Sequence, residues 1–198
     1  MYLSPPPVNP EPTSPRMRTP VKIFLALSIP LFLLDWVTKA WIRANLPVRD
    51  HIDVIDGMFR IWHRTNTGAA WSLFGDQEWG MAFLTTMGVV AVCAMIWMVR
   101  TLPDEDRITA VSLGALAGGA AGNLLDRIRF QMVTDFLDFY AETGVMAVIL
   151  RKVAGGIHYP TFNVADMAIV TGAILLAIEA IRGGKKAEAP ADGSAEAS

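Results

Sequence analysis

The sequence has few charged residues and only one cysteine. Lys, Arg, Asp and Glu make up 18% of the 198 residues, and the formal net charge is −2, so no global basic field is present to attract nucleic acid. Cys93 alone cannot form an internal disulfide, which excludes a disulfide scaffold and a zinc ribbon. His51, His63 and His158 lack the i, i+4 spacing of a metal site. We therefore expect neither a bound metal nor a nucleic acid partner.

Apolar residues are abundant instead. They make up 53% of the chain, and the mean hydropathy is +0.37. The segment from Trp79 to Val99 contains 21 residues with no ionisable side chain except Cys93. As a helix at about 1.5 Å per residue it would reach roughly 30 Å, the hydrocarbon thickness of a bilayer. The composition predicts an integral membrane protein.

Four segments of this kind predict an all-α membrane protein with four transmembrane helices. The expected spans are about 21–42, 79–99, 108–126 and 163–181. In the third span Gly114, Gly118 and Gly122 recur at intervals of four, which lets another helix approach closely on that face. We expect this helix to be packed inside the bundle.

The two ends of the chain have a different composition. Residues 1–20 are rich in proline, and residues 183–198 are rich in Ala, Gly, Lys and Glu, so both are expected to be disordered around a membrane domain at 21–182. Four spans place both termini on one side. The basic residues of that side lie in short segments beside the span ends, which favours the cytoplasm. No A-x-A site follows the first span, so we expect this span to be retained.

The loop between the first two spans has strand character. Asp56-Gly57 is typical of a hairpin turn and lies between the apolar-rich segments 52–55 and 58–63. The sequence therefore predicts a small β-sheet element within about 47–78, on the outer face of the membrane.

Polar side chains collect where the predicted spans end. The up-and-down order of the spans places at one membrane boundary Asp35, Lys39, Asn123, Asp126, Arg127, Asp135, Asp138, Asn163 and Asp166. Ionisable groups at this depth are costly, so each is a functional hypothesis. Two carboxylates held in a partly dehydrated site share one proton, and such a pair can activate a water and protonate a leaving amide. The pattern favours the chemistry of an aspartic protease.

The start of the fourth span supplies one member of such a pair. Asn163 is positioned to cap the helix, and Asp166 then lies in the positive end of the helix dipole, which favours its ionised form. Taken alone, each feature has a simpler interpretation. An Asn-x-x-Asp motif is more often only a helix cap, Asp126-Arg127 is usually an interfacial ion pair, and Lys39 usually extends to lipid headgroups.

Five motifs occur in order along the chain: Asp35-Trp-Val-Thr-Lys39, Asn66-Thr-Gly-Ala-Ala-Trp-Ser72, Gly118-Gly-Ala-Ala-Gly-Asn-Leu-Leu-Asp-Arg127, Val133-Thr-Asp-Phe-Leu-Asp138 and Phe162-Asn-Val-Ala-Asp166. Together they resemble the motifs of the lipoprotein signal peptidase family, also called signal peptidase II. The resemblance covers about residues 21–181.

The resemblance implies an aspartic endopeptidase of the bacterial inner membrane, with its site near the periplasmic surface. Such an enzyme removes signal peptides from prolipoproteins that carry a diacylglyceryl-Cys, cutting just before that Cys. The catalytic pair would be Asp135 and Asp166. The residues that would position or support the site are Asn66, Asn123, Asp126, Arg127, Asn163, Asp35 and Lys39. The resemblance implies no metal or organic cofactor, and we expect a functional monomer in contact with membrane lipid.

One segment departs from the family pattern. Residues 140–159 are longer than expected and contain the apolar run Gly144–Leu150 followed by Arg151-Lys152, which predicts a short amphipathic element in the interface.

Two other function classes are compatible with parts of this pattern. A proton-coupled transporter would also use intramembrane Asp residues, but the sequence shows neither an internal repeat nor a broken helix. A non-enzymatic scaffold would explain the glycine face but not the acids at one surface.

Overall fold

The computed structural model describes residues 17–68 and 77–188, with side chains described for 17–68 and 79–182. Most of the two terminal segments that the sequence predicts to be disordered, and part of the first loop at 69–76, lie outside the described residues.

The described chain contains four long helices and one short helix. The helices are α1 (Thr19–Asn45), α2 (Gln77–Thr101), α3 (Arg107–Phe130), α4 (Gly144–Val153) and α5 (Val164–Glu188). All except α4 are long and apolar enough to cross a bilayer. This confirms the predicted four-helix membrane architecture. The short α4 occupies the segment for which an amphipathic element was predicted, and it buries Ala147 and Leu150.

The helices extend beyond the predicted spans. Helix α5 continues to Glu188, into the segment that was assigned to a disordered tail. This extension begins with Gly183-Gly184, which are poor helix formers, and continues with Lys, Ala and Glu, which are strong ones. At the other end α1 begins at Thr19, with Pro20 in its first turn, where a missing backbone N–H costs nothing.

A three-stranded antiparallel sheet completes the fold. The strands are β1 (His51–Ile55), β2 (Phe59–Asn66) and β3 (Val133–Phe139), in the order β1-β2-β3. The predicted hairpin is present, and Gly57 adopts a φ of 72° at its turn. This confirms the expected sheet element.

Strand β3 was not predicted. The sequence analysis assigned no strand to the segment after the third span that carries Asp135 and Asp138. In the structure β2 pairs with this segment and aligns Arg64 with Asp135. A strand formed by pairing with a segment about 70 residues away has no local signal strong enough to identify it. The pairing holds Asp135 on a sheet rather than on a flexible loop.

Helix α3 is the centre of the bundle. It packs against α1 and α5, and its small residues face both neighbours. A Cβ atom placed on Gly118 would lie 2.8 Å from the carbonyl oxygen of Ser28 in α1. Only glycine allows the two backbones to approach this closely, which brings the polar ends of α1 and α3 together.

We expect Gly118→Leu to separate α1 from α3 and to lower the free energy of unfolding by about 3 kcal/mol, because the added side chain overpacks a rigid contact. The measurement is the Tm of the purified protein in detergent micelles. Gly80→Leu in α2 is the matched control, since a Cβ there meets no atom of the described residues within 4 Å. Equal Tm losses in the two variants would contradict this role of Gly118.

Candidate active site

A buried cluster of charges lies at the end of α1. The Nζ atom of Lys39 is 2.8 Å from Asp35 Oδ2 and 3.5 Å from Asp126 Oδ2, and it donates a hydrogen bond to Asn123 Oδ1 at 2.8 Å. Asp35 Oδ1 accepts a hydrogen bond from the backbone N–H of Ala165 at 2.9 Å. Lys39 is only 1% exposed and Asp35 is fully buried, so Lys39 does not extend to headgroups. Two carboxylates offset the desolvation of its ammonium, and the cluster ties α1, α3 and α5 together.

Asp126 extends this cluster to the sheet. Its Oδ1 accepts a hydrogen bond from Arg43 Nη1 at 3.0 Å, and its Oδ2 accepts one from the backbone N–H of Thr134 at 3.0 Å. Arg43 also donates to Thr134 Oγ1 at 3.0 Å. The partners of Asp126 are therefore Arg43 and Lys39, and it anchors β3 to the helices.

Arg43 and Thr134 were not identified from the sequence. Arg43 had a usable signal, because Asp35, Lys39 and Arg43 recur at intervals of four and so share one helix face. Thr134 had none, because its contacts depend on the pairing of β3.

Asn163 and Asp166 form a reciprocal cap at the start of α5. The backbone N–H of Asp166 donates to Asn163 Oδ1 at 3.0 Å, and the backbone N–H of Asn163 donates to Asp166 Oδ2 at 3.1 Å. The other oxygen of Asp166 accepts a hydrogen bond from Asn123 Nδ2 at 2.8 Å. The motif is thus a helix cap, as its simpler interpretation holds, but its carboxylate also faces the polar residues of α3.

Asp135 approaches the same cap from β3. Its Oδ1 accepts a hydrogen bond from Asn163 Nδ2 at 2.8 Å, and its Oδ2 accepts one from Asn66 Nδ2 at 3.1 Å. The side chain is 2% exposed. Burial first, and the negative charge of Asp166 second, raise the pKa of Asp135 to about 6. Asn163 therefore contacts both carboxylates and links two acids with different environments.

Arg127 supplies the remaining charge. It lies in the last turn of α3, where its guanidinium donates to the backbone oxygen of Asn123 at 3.4 Å. Its charge interacts with those of Asp166, Asp135 and Asp126. The structure therefore brings the proposed catalytic pair and the seven residues named to support it into one cluster, whereas Asp138 lies apart from it, bound to Arg60 and His158.

Two clefts flank the carboxylates. The first has a volume of about 470 Å³ and contains Asp135 and Asn66 in its lining, together with residues of β2. The second, of about 430 Å³, is largely apolar and runs from Asp166 along α5 past Met167 and Val170. Residues 159–161 line both clefts. A peptide bound in an extended conformation across residues 159–161 would therefore lie beside both Asp135 and Asp166.

Comparison with known proteins agrees with this arrangement. The family model described as signal peptidase (SPase) II matches residues 27–182. The lipoprotein signal peptidase of Geobacter sulfurreducens is 37% identical over 84% of this chain and 96% of its own length. That of Bacillus pumilus is 33% identical over 82% of this chain and 95% of its own. A solved bacterial membrane enzyme, 24% identical, shares the fold with a TM-score of 0.67, over 82% of this chain and 94% of its own.

The family match includes most of the four long helices, the sheet and the carboxylate cluster, and both relatives align over almost their full length. The chain is accordingly a protease with several spans in the bacterial inner membrane, and it belongs to the signal peptidase II family.

Proposed function

We propose that this protein removes signal peptides from prolipoproteins by cutting just before a diacylglyceryl-modified Cys, and that it does so as an aspartic endopeptidase with Asp135 and Asp166 as the catalytic pair. The observation that carries this proposal is the link through Asn163, which hydrogen-bonds to both carboxylates. The family supports a peptidase over the transporter alternative.

The unlike environments of the two acids support separate roles. The side chain of Asp166 accepts two hydrogen bonds, from the backbone N–H of Asn163 and from the side chain of Asn123, and it lies at the positive end of α5. As an acceptor in both contacts, Asp166 is placed to take a proton from water. Asp135 is buried on β3 and holds a proton up to a higher pH than an ordinary Asp.

The proposed reaction follows from these roles. Ionised Asp166 removes a proton from a water molecule as the water oxygen bonds to the scissile carbonyl carbon, while protonated Asp135 donates to the carbonyl oxygen. The tetrahedral intermediate then loses its C–N bond as the leaving nitrogen receives the proton that Asp166 had taken. Asp135 takes back the proton of one hydroxyl, which leaves the carboxylic acid product and restores both acids to their starting states. Arg127, half-buried beside the pair, is placed to hold a carbonyl oxygen of the peptide.

The two clefts fit a lipid-modified peptide. The polar cleft along β2 and β3 offers donors and acceptors for an extended backbone, and the apolar cleft along α5 opens on exposed Met167 and Val170. We propose that the acyl chains enter through this apolar cleft from the bilayer. In this orientation the site faces the periplasm and both termini are cytoplasmic.

The proposed substrate is tested with two peptides that differ only at the cleavage Cys, one carrying diacylglycerol and one unmodified. In detergent micelles the purified protein should cut the modified peptide once, leaving the lipidated Cys as the new N-terminal residue by mass spectrometry. The double variant Asp135→Asn/Asp166→Asn controls for contaminating proteases. Equal cleavage of both peptides, or none of the modified one, would overturn the proposed function.

The proposed pair also predicts a bell-shaped dependence of activity on pH. Because the proton of Asp135 is lost as pH rises through about 6, kcat/KM should fall roughly tenfold per pH unit above that value. At low pH it should fall again as the ionised partner gains a proton, and the two limbs belong to the pair as a whole. The measurement is the initial rate against pH, with and without EDTA. A rate that rises steadily into the alkaline range, or one that EDTA abolishes, would exclude the aspartic mechanism.

A further inference from the structure

The chain that leads into α5 lies antiparallel to β3. The backbone N–H groups of Phe136 and Leu137 donate to the carbonyl of Phe162 at 3.0 and 2.9 Å, and Phe162 N–H donates to Leu137 O at 3.2 Å. This pairing lays residues 158–163 along the strand that carries Asp135. The separation between Asp135 and Asp166 therefore depends on how firmly the two segments are joined.

Side chains join the two segments at both ends of this pairing. At one end Asn163 Nδ2 donates to Asp135 Oδ1 at 2.8 Å. At the other end His158 Nδ1 lies 3.1 Å from Asp138 Oδ2. The first contact belongs to the proposed catalytic pair, whereas nothing in the proposed reaction uses the second.

The second contact is built on a buried charge. Asp138 is fully buried, and its Oδ2 also accepts a hydrogen bond from Arg60 Nε at 2.7 Å. Its Oδ1 has no hydrogen-bond partner among the described residues. The guanidinium of Arg60 stacks over the rings of Trp62 and Tyr140, with its Cζ 4.2 and 4.8 Å from their centroids. Arg60 and His158 are thus the two groups that stabilise this carboxylate, and Arg60 is itself immobilised.

His158 also lies where the chain returns to β3 after a long intervening segment. Residues 141–157, which include α4, leave β3 and come back where Ala141 N–H donates to Ile157 O at 2.9 Å and Tyr159 N–H donates to Phe139 O at 2.8 Å. Within the described part of the chain the outer face of α4 is exposed, with Val145 and Val153 more than 70% accessible to solvent. If α4 moved, residues 158–162 would transmit the displacement to Asn163 unless contacts held these residues in place.

We propose that Asp138, Arg60 and His158 form a positioning clamp that sets the spacing of Asp135 and Asp166 and isolates it from movement of α4. The clamp residues act through the two segments and do not touch the scissile bond. This inference rests on the proposed function, because it concerns the efficiency of that reaction.

His158 is the residue to vary, because its side chain is 34% exposed and its loss leaves the Asp138–Arg60 pair intact. His158 also lines the polar cleft proposed for the peptide backbone, so the decisive quantity is kcat rather than KM. We expect His158→Ala to lower kcat by about 10- to 100-fold with Tm unchanged, since a small misplacement of catalytic groups slows the chemical step. His158→Asn should recover most of the loss, because the Asn amide nitrogen can donate from near the position of His Nδ1. His51→Ala is the matched control, as it removes an exposed pairing with Asp53 in the same sheet.

The pH profile distinguishes positioning from a merely structural role. The charged groups that act on Asp135 come from three helices: Asp166 of α5, Lys39 of α1 and Arg127 of α3. If the clamp is lost and the two acids separate, Asp166 repels the ionised form of Asp135 less. The alkaline limb of kcat/KM should then move to lower pH in His158→Ala and not in His51→Ala.

The clamp is overturned if His158→Ala keeps the wild-type kcat and alkaline limb, or if its loss of rate follows a loss of Tm. Both are measured with the diacylated peptide that tests the proposed function. Failure of the wild-type protein to cut that peptide would overturn the proposed function and the clamp together, whereas cleavage that is indifferent to His158 would overturn the clamp alone.

Discussion

Asp135→Asn and Asp166→Asn are each expected to lower the rate of cleavage of the diacylated peptide by at least about 10³-fold, because each removes one half of a shared proton system. An amide can neither accept the water proton nor supply one to the leaving group. The double variant should be no slower than either single variant, since the two residues act as a unit. The measurement is the single-turnover rate of the purified variants.

A stability measurement shows whether the Asp135 variant remains folded. Burial raises the pKa of Asp135 to about 6, so the folded protein holds a proton that the unfolded chain, with a pKa of 3.8, gives up. Stability is therefore lost as pH rises from about 4 to 6, and the loss above this window corresponds to roughly 3 kcal/mol. Asp135→Asn should thus raise the Tm at pH 8 and leave it nearly unchanged at pH 4.

Two outcomes would contradict this assignment. Substantial turnover by either single variant would remove that residue from the catalytic pair. An inactive Asp135→Asn with a lower Tm at pH 8 would show that the carboxylate supports the fold, and the loss of activity would then carry no information on the reaction.

Lys39→Met should have the largest effect on stability. The substitution keeps the length of the side chain but leaves Asp35 and Asp126 buried without the ammonium between them. Removing one partner of a buried ion pair typically costs about 3 to 5 kcal/mol, because the remaining charge stays desolvated. We expect a lower Tm in detergent and, since Asn123 also loses its donor, a misplaced Asp166 and a loss of activity.

Lys22→Met is the matched control, because it makes the same change in the same helix at an exposed position. It should leave Tm and activity unchanged. Adding Asp35→Asn to Lys39→Met should restore part of the stability, since the amide keeps an acceptor for Ala165 N–H and removes one unpaired charge. A Lys39→Met variant as stable as Lys22→Met would show that the cluster is not an ion network.

The sequence predicted much of the site because several of its signals are local. Asn163 and Asp166 are three residues apart, and the cap that they form depends on the start of one helix. Asp35 and Lys39 are one helical turn apart and therefore share a face. Such features are visible in a few consecutive residues, which is also why the motifs could suggest the family before any contact was known.

The sequence could not show which residues each acid at the outer boundary contacts. Asp135 and Asp138 lie in a segment for which no strand was predicted, and nothing in the sequence distinguishes their environments. In the structure Asp135 meets Asn66 and Asn163, whereas Asp138 meets Arg60 and His158. The difference arises from the register of β3 on β2 and from the pairing with Phe162, which no short stretch of sequence specifies.

By itself the sequence determined that this is a membrane protein with four apolar spans, that small residues line its third span, and that amides and carboxylates gather where the spans end. These properties depend on hydrophobicity and on helical periodicity, which act over a few residues. Only the tertiary structure decided that Lys39 is buried between two acids, that Arg43 and Thr134 complete the cluster, and that Asp135 shares Asn163 with Asp166. Contacts between residues up to 130 positions apart create these environments, and the protonation of a carboxylate depends on its environment rather than on its neighbours in the chain.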